Sequence, residues 1–201
     1  MPTDLPSSHT ITDAETMWTI ASPARIEIMN AACALGECSA GEIAEMTGRS
    51  RTSLYPHIEQ LVAAGILHES GTRPSGKRQE QLYRPIALFV KTRHNADDPD
   101  VVAYHVAYGK AVARMLAREF ERGITQPKVT TSGPLRDTFC TSQTFWADDD
   151  MLTEVNTLLD RITEICSHSQ PGTGKRLMQL GVLTTPLLRN QSGSEDNDAL
   201  D

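Results

Sequence analysis

Between Ser39 and Leu67 the chain reads SAGEIAEMTGRSRTSLYPHIEQLVAAGIL, two helix starts in quick succession. Ser39 and Glu42 spell a capping box, in which the hydroxyl accepts from the third helical N–H and the glutamate reaches back to the cap. Ile43, Ala44 and Met46 then share one face, and Gly48 ends the helix. Ser50 can cap a second helix, where Leu54, Ile58, Leu61 and Val62 recur at helical spacing until Gly65. Two short helices joined by a tight glycine turn make a helix-turn-helix.

Pro56 lies inside the second helix, where an interior proline costs about 3 kcal/mol or more and biases the preceding residue away from helical angles. A helix beginning at Pro56 would leave unexplained why Leu54 shares the inward face with Ile58 and Leu61. The spacing therefore predicts a helix that runs through Pro56 with a local kink, its freed Thr52 carbonyl facing water or a ligand.

Flanking signals agree with this nucleus. Thr12–Glu15 is a second capping-box spelling, opening a short helix through Ile20. Ser22-Pro23 starts another, which turns Ile28, Met29, Ala32 and Leu35 inward and stops at Gly36. After Gly65, ILHES and QEQLYR read as strands around a turn-rich basic loop, GTRPSGKR, and two strands placed there form a wing. Asp98-Pro99 caps a long helix ending near Gly123, with two apolar stripes. Val101, Tyr104, Tyr108, Ala111 and Met115 form one; Val102, Val106, Val112, Leu116 and Phe120 form the other. Two stripes need two partners, for instance the helix's own domain and a second subunit. Further on, residues 124–137 read as a loop, DTFCTSQTFW as a strand, ADDDMLTEVNTLLDRITEIC as a helix with acids at its start, and KRLMQLGVLTTPLL as a closing strand. The expected fold is mainly α with a small β component (α+β): residues 1–10 disordered, 11–91 a winged helix-turn-helix, 92–189 a helical/β dimerisation and effector region, and 190–201 a disordered tail.

Charge is divided unevenly. The chain carries −7, yet Arg49 to Arg84 holds Arg49, Arg51, Arg73, Lys77, Arg78 and Arg84 against Glu59, Glu69 and Glu80. That basic patch on an acidic body suits local phosphate contact, because screening confines each charge to roughly 8–10 Å. The longest apolar run, Ile86–Val90, is too short to cross a bilayer, so no membrane partner is expected. The N-terminus lacks the basic and apolar stretches of a secretory signal, which makes the cytoplasm the expected compartment. Cys33, Cys38, Cys140 and Cys166 form no CxxC pair and read as small hydrophobes. There is no glycine-rich phosphate loop of GxxxxGK[ST] spacing and no Ser/Cys-His arrangement, and Asp148–Asp150 reads as a helix start. Neither an enzyme nor a cofactor is expected.

SPARIEIM, the tandem-helix stretch and GKRQEQLYR together resemble the winged-helix domain of ArsR-like bacterial transcriptional regulators. The matching positions are Ser22, Pro23, Arg25, Glu42–Ala44, Ser50, His57, Ala64–Ile66 and Tyr83. The resemblance implies a homodimer that binds operator DNA, usually as a repressor released by a ligand or metal. The metal-sensing branch carries a Cys-x-Cys pair before the third helix. Here Ser39, Ala40 and Gly41 occupy that stretch, and Cys38 lies one place outside it. A lone thiolate is a poor soft-metal site, and His94, His105 and His168 show no usable ligand spacing, so no metal is expected.

The N-terminal turns of the reading helix meet base edges in this motif, placing Arg51, Thr52, Ser53 and Tyr55 there, with Ser50 and Pro56 beside them. Arg49, Arg73, Lys77 and Arg78 are the expected phosphate or minor-groove contacts. Tyr83 reads as a core aromatic and His57 as a packed helix histidine. Val101, Tyr104, Tyr108, Val112, Met115 and Leu116 are the expected dimerisation residues. An effector site between Trp146, the long helix and the partner subunit stays open. So does an alternative function, a winged-helix protein-interaction module that has lost DNA.

Overall fold

The computed structural model describes residues 5–76, 78–169 and 172–187. Four helices, α1 (Ala14–Ile20), α2 (Pro23–Leu35), α3 (Ala40–Thr47) and α4 (Arg51–Ala63), gather against a sheet of β2 (Cys38–Ser39), β3 (Leu67–Ser75) and β4 (Arg78–Pro85). The sheet order is β2-β4-β3, antiparallel throughout. Met17, Ile20, Ile28, Ile43, Leu54, Ile58, Leu61, Ile66 and Leu67 form its core, each almost wholly buried. At roughly 25 cal/mol per Å² of apolar surface, these side chains supply most of the domain's cohesion.

The capping signals work largely as the residues predict. Ser39 accepts from Glu42 N–H while Glu42 accepts from Ser39 N–H, so the α3 box is closed on both sides. Gly48 takes the left-handed conformation (φ 67°) that lets α3 stop and α4 start at once. At α1 the cap is Asp13 rather than Thr12, its carboxylate accepting from Thr16 N–H at 2.8 Å. An ionised acceptor one residue later displaces the hydroxyl.

Pro56 lies within α4, which stays helical from Arg51 to Ala63. Leu54, Ile58 and Leu61 all face the core, and Tyr55 and Pro56 are exposed on the other side. The buried stripe spans the proline, and its burial outweighs the one lost backbone bond.

Several expectations are corrected. The basic loop GTRPSGKR is mostly strand: β3 continues to Ser75 and β4 resumes at Arg78, paired Ser75 to Arg78. A bulge near Glu69/Gly71 lets the hairpin extend that far. Residues 1–10 are not uniformly disordered. Pro6 carbonyl accepts from Leu88 N–H, and β1 (His9–Ile11) pairs in parallel with β5 (Val90–Thr92), because Ile11 inserts into the core. The strands expected at DTFCTSQTFW and KRLMQLGVLTTPLL are absent; residues 138–147 and 175–187 form no ladder. Alternation alone does not make a strand where no partner edge is offered. The tail expected over 190–201 lies outside the described residues.

Helix α5 (Pro99–Ile124) starts at Asp98, whose side chain accepts from Asp100 and Val101 N–H. Val101 and Tyr104 enter the main core, while Ala111 and Met115 pack on Ile26 of α2. Trp18 of α1 meets Tyr104 edge-on at 6.0 Å between ring centroids. The boundary expected at 91/92 therefore does not divide the core. The second stripe is left outward: Val102, Val106 and Phe120 are exposed. Residues near 181–183 return over part of it, and a side chain at Gly181 would overlap Leu116 Cδ1. Helix α6 (Asp149–Ser167), capped by Asp148, buries no residue.

Candidate nucleic-acid interface

The N-terminal turn of α4 is fixed by Ser50, whose side chain accepts from Ser53 N–H, and by Ser53 Oγ donating back to the Ser50 carbonyl at 2.8 Å. Both hydroxyls are thereby engaged in the cap. Arg51, Thr52, Tyr55 and Pro56 are exposed around it, opposite the buried Leu54 and Ile58. The hairpin stands beside this surface, and the two enclose a cleft of about 430 Å³ lined by Arg51, Tyr55, Arg78, Glu80 and Tyr83 among others. The hairpin side of the cleft includes Ser75 and Arg78, part of the stretch expected to be the loop between the two strands.

The arginines differ in what they face. Arg78 is exposed on the turn of the wing. Arg51 Nη2 stands 3.3 Å from Glu80 Oε1, with half of its side chain in solvent. Arg73 Nη2 is 2.9 Å from Glu42 Oε2 and 3.6 Å from Glu80 Oε2. Glu42 feels a burial penalty that raises its pKa, but the Ser39 hydrogen bonds and the Arg73 cation outweigh it, and the carboxyl sits below its ordinary value. Arg49 turns inward, its Nε donating to Glu27 Oε2 at 2.6 Å. It thereby joins the turn to α2, with 30% of its side chain still exposed. Lys77 lies outside the described residues.

Glu27 accepts a second arginine, Arg118 of α5, at 2.6 Å. Burial pushes this carboxyl up, yet the hydrogen bonds and charges of Arg49 and Arg118 carry it below the usual range. The carboxylates of Glu27, Glu42 and Glu80 that meet these arginines carry no mark of that pairing as neighbours in the chain. For Glu80 a signal existed: hairpin register places it directly opposite Arg73.

Tyr83 is a core aromatic, as its setting between β2 and β3 requires. His57 is half-buried and its pKa is lowered, first by burial and then by Arg25 and Arg49, so it stays neutral near pH 7. The thiols of Cys33 and Cys38 are both pushed up to about 12, chiefly by burial, which removes thiolate chemistry at neutral pH. His94 stacks on His105 with ring centroids 3.9 Å apart, a contact that spacing did not anticipate. Among the described residues no cluster of three His, Cys, Asp or Glu suited to a metal forms.

A tight pair of helices, the second exposed along one face and flanked by an antiparallel hairpin, defines a winged helix-turn-helix of the DNA-binding transcriptional regulator class. Residues 22–69 match the family described as bacterial regulatory protein, arsR family, so the chain carries an ArsR-like helix-turn-helix. The match spans α2 through the first residues of β3. No curated protein matches the chain. No helix among the described residues is long and apolar enough to cross a membrane.

Proposed function

We propose that the protein is a homodimeric, sequence-specific transcriptional repressor that lays the N-terminal turns of α4 in the major groove and the β3–β4 wing along the phosphates. The observation that carries this reading is the exposed face of Arg51, Thr52, Tyr55 and Pro56 on a helix whose opposite face is fully buried. Arg51 reads a base edge, a contact worth about 1–3 kcal/mol of discrimination. Arg78 holds the backbone, Arg73 being tied to Glu42 and Glu80, and Tyr55 with Pro56 packs on apolar groups such as a thymine methyl.

The subunits meet through the outer stripe of α5 and through α6. Val101, Tyr104 and Met115 serve the chain's own core, and Tyr108 packs against it, so the contact falls to Val102, Val106 and Phe120, with Val112 at the edge. Leu116 is half covered by the chain's own residues near 181. Charge supports α6 against the partner's α5. The acids Asp149, Asp150, Glu154 and Asp160 of α6 would complement Lys110 and Arg114 of the partner's α5. Trp146 is 79% exposed, so an effector site beside it would be completed by the second subunit.

The test is selection of duplexes from a random-sequence pool followed by titration over salt. Arg51→Ala is expected to weaken the selected duplex more than a scrambled one. Arg78→Ala is expected to weaken both alike and to flatten the salt slope by about one unit. Binding without any salt dependence would sink the DNA reading. The pairing of Arg49, Arg51 and Arg73 with carboxylates favours a second reading, a winged helix that docks a protein. That reading prevails if no duplex is retained at low salt.

A further inference from the structure

Gly41 is the second residue of α3, buried, and absent from the glycines with positive φ. Its backbone has no need of glycine, and glycine inside a helix is less favourable than alanine. What the position lacks is room. A Cβ built there would overlap Arg51 Nη2, and would stand 2.9 Å from Glu80 Oε1 and 3.1 Å from Arg51 Cζ. The missing side chain is a notch in α3, and the Arg51–Glu80 ion pair fills it.

We propose that Gly41 and Glu80 are positioning residues that aim Arg51 at a single base, making them determinants of sequence specificity; this rests on the DNA reading of α4 proposed above. The notch receives one edge of the guanidinium, and Glu80, only 16% exposed at its side chain, anchors it. The rest of the group stays outward, over half of the Arg51 side chain being in solvent. Glu80 is held in turn by Arg73, and Arg73 by Glu42, the acid that closes the α3 capping box. The ring thus runs from α3 through the hairpin to α4 and back to α3. Two cations and two carboxylates balance, so the ring itself adds no net attraction for phosphate. A planar guanidinium held by one edge loses less rotamer freedom on making a bidentate contact, and a fixed direction selects one base over its neighbours. Released from the notch, the same arginine can swing to any phosphate within reach.

The experiment uses the full chain, the duplex it selects from a random pool, and a scrambled duplex of equal length. Gly41→Ala is expected to fold with undiminished thermal stability, because the group it displaces is the end of a flexible side chain. Its preference for the selected duplex is expected to fall about tenfold, with scrambled-duplex affinity kept or raised. Glu80→Gln is expected to lose preference in the same direction, which keeps the proposal testable should the alanine variant misfold. In an Arg51→Ala background, Gly41→Ala should cost nothing further, since both act through one side chain. The proposal is overturned if Gly41→Ala and Glu80→Gln discriminate like the wild type while Arg51→Ala does not. It is equally overturned if Arg51→Ala itself keeps full preference, or if the Gly41→Ala loss persists undiminished without Arg51. A wild-type chain that retains no duplex at low salt removes the DNA reading and this inference together.

Discussion

Glu27 has a side chain only 6% exposed and an arginine on each carboxylate oxygen. Arg49 comes from the turn before α4 and Arg118 from α5, so one carboxylate on α2 ties three elements together. Removing it leaves two cations facing each other. Because both guanidinium groups reach water, Glu27→Gln is expected to cost about 2–3 kcal/mol at pH 7, at or below the range for a fully buried pair. The sign with pH follows from the depressed carboxyl: its stabilisation is complete above the ordinary glutamate range and is lost as pH falls through the folded value. Thermal melts of wild type and Glu27→Gln should therefore stay apart through the ordinary glutamate range and converge as pH falls below it. A gap that stayed constant with pH would contradict the ion-pair account. The cysteines allow a simpler check. With Cys33 and Cys38 held at about 12 by burial, a thiol reagent on the native chain near neutral pH should label the exposed Cys140 and Cys166 alone.

Helix α4 tolerates Pro56 because its buried face spans the ring. Pro56→Ala restores a backbone donor to the Thr52 carbonyl, against which stands the greater entropy of the unfolded chain. The balance is a stabilisation of about 2 kcal/mol, read as a rise in melting temperature. Under the proposed DNA reading, the same variant should shift base preference at one position of the selected duplex, measured by repeating the duplex selection. Unchanged stability would mean that the local backbone already accommodates the proline at no cost. The wing is stiffer than a loop. Pairing runs to Ser75–Arg78, which fixes where Arg73 and Glu80 stand relative to α4.

On the scale of the molecule, the exposed apolar side chains divide by region. Up to Arg93 most large hydrophobic groups are covered, whereas Val102, Val106, Phe120, Leu135, Phe139, Trp146, Leu152, Leu158 and Ile165 lie open. A monomer rarely leaves so much apolar surface to water, and a standard interface covers about 800 Å² on each partner. If the subunits meet as proposed, Val106→Asp on the outer face of α5 is expected to shift sedimentation from dimer to monomer at micromolar concentration without lowering the melting temperature of the chain. Under the proposed dimeric DNA reading it should also weaken binding to the selected duplex, because two copies of α4 would have to span half-sites about one helical turn apart. Val106→Asp sedimenting as a dimer would move the subunit contact elsewhere.

Caps, glycine stops and the 3.6-residue stripe around Leu54 are local properties, and they sufficed to place the tandem helices, the wing and the long helix from sequence. Each of those signals is satisfied within a few residues of itself. Whether a cation is available to a ligand is not such a property. Arg49, Arg51 and Arg73 look alike in the chain, yet Glu27, Glu80 and Glu42 reach them from other elements and give each a different role. The failed strands near residues 140 and 180 have the same cause, since a strand exists only where a partner edge is presented. The amino-acid order by itself determined which segments are helical and which faces are apolar, because these depend on neighbours in the chain. Only the tertiary structure decided which charges are joined and which stripe of α5 is left for another surface, because those depend on residues brought together from far apart.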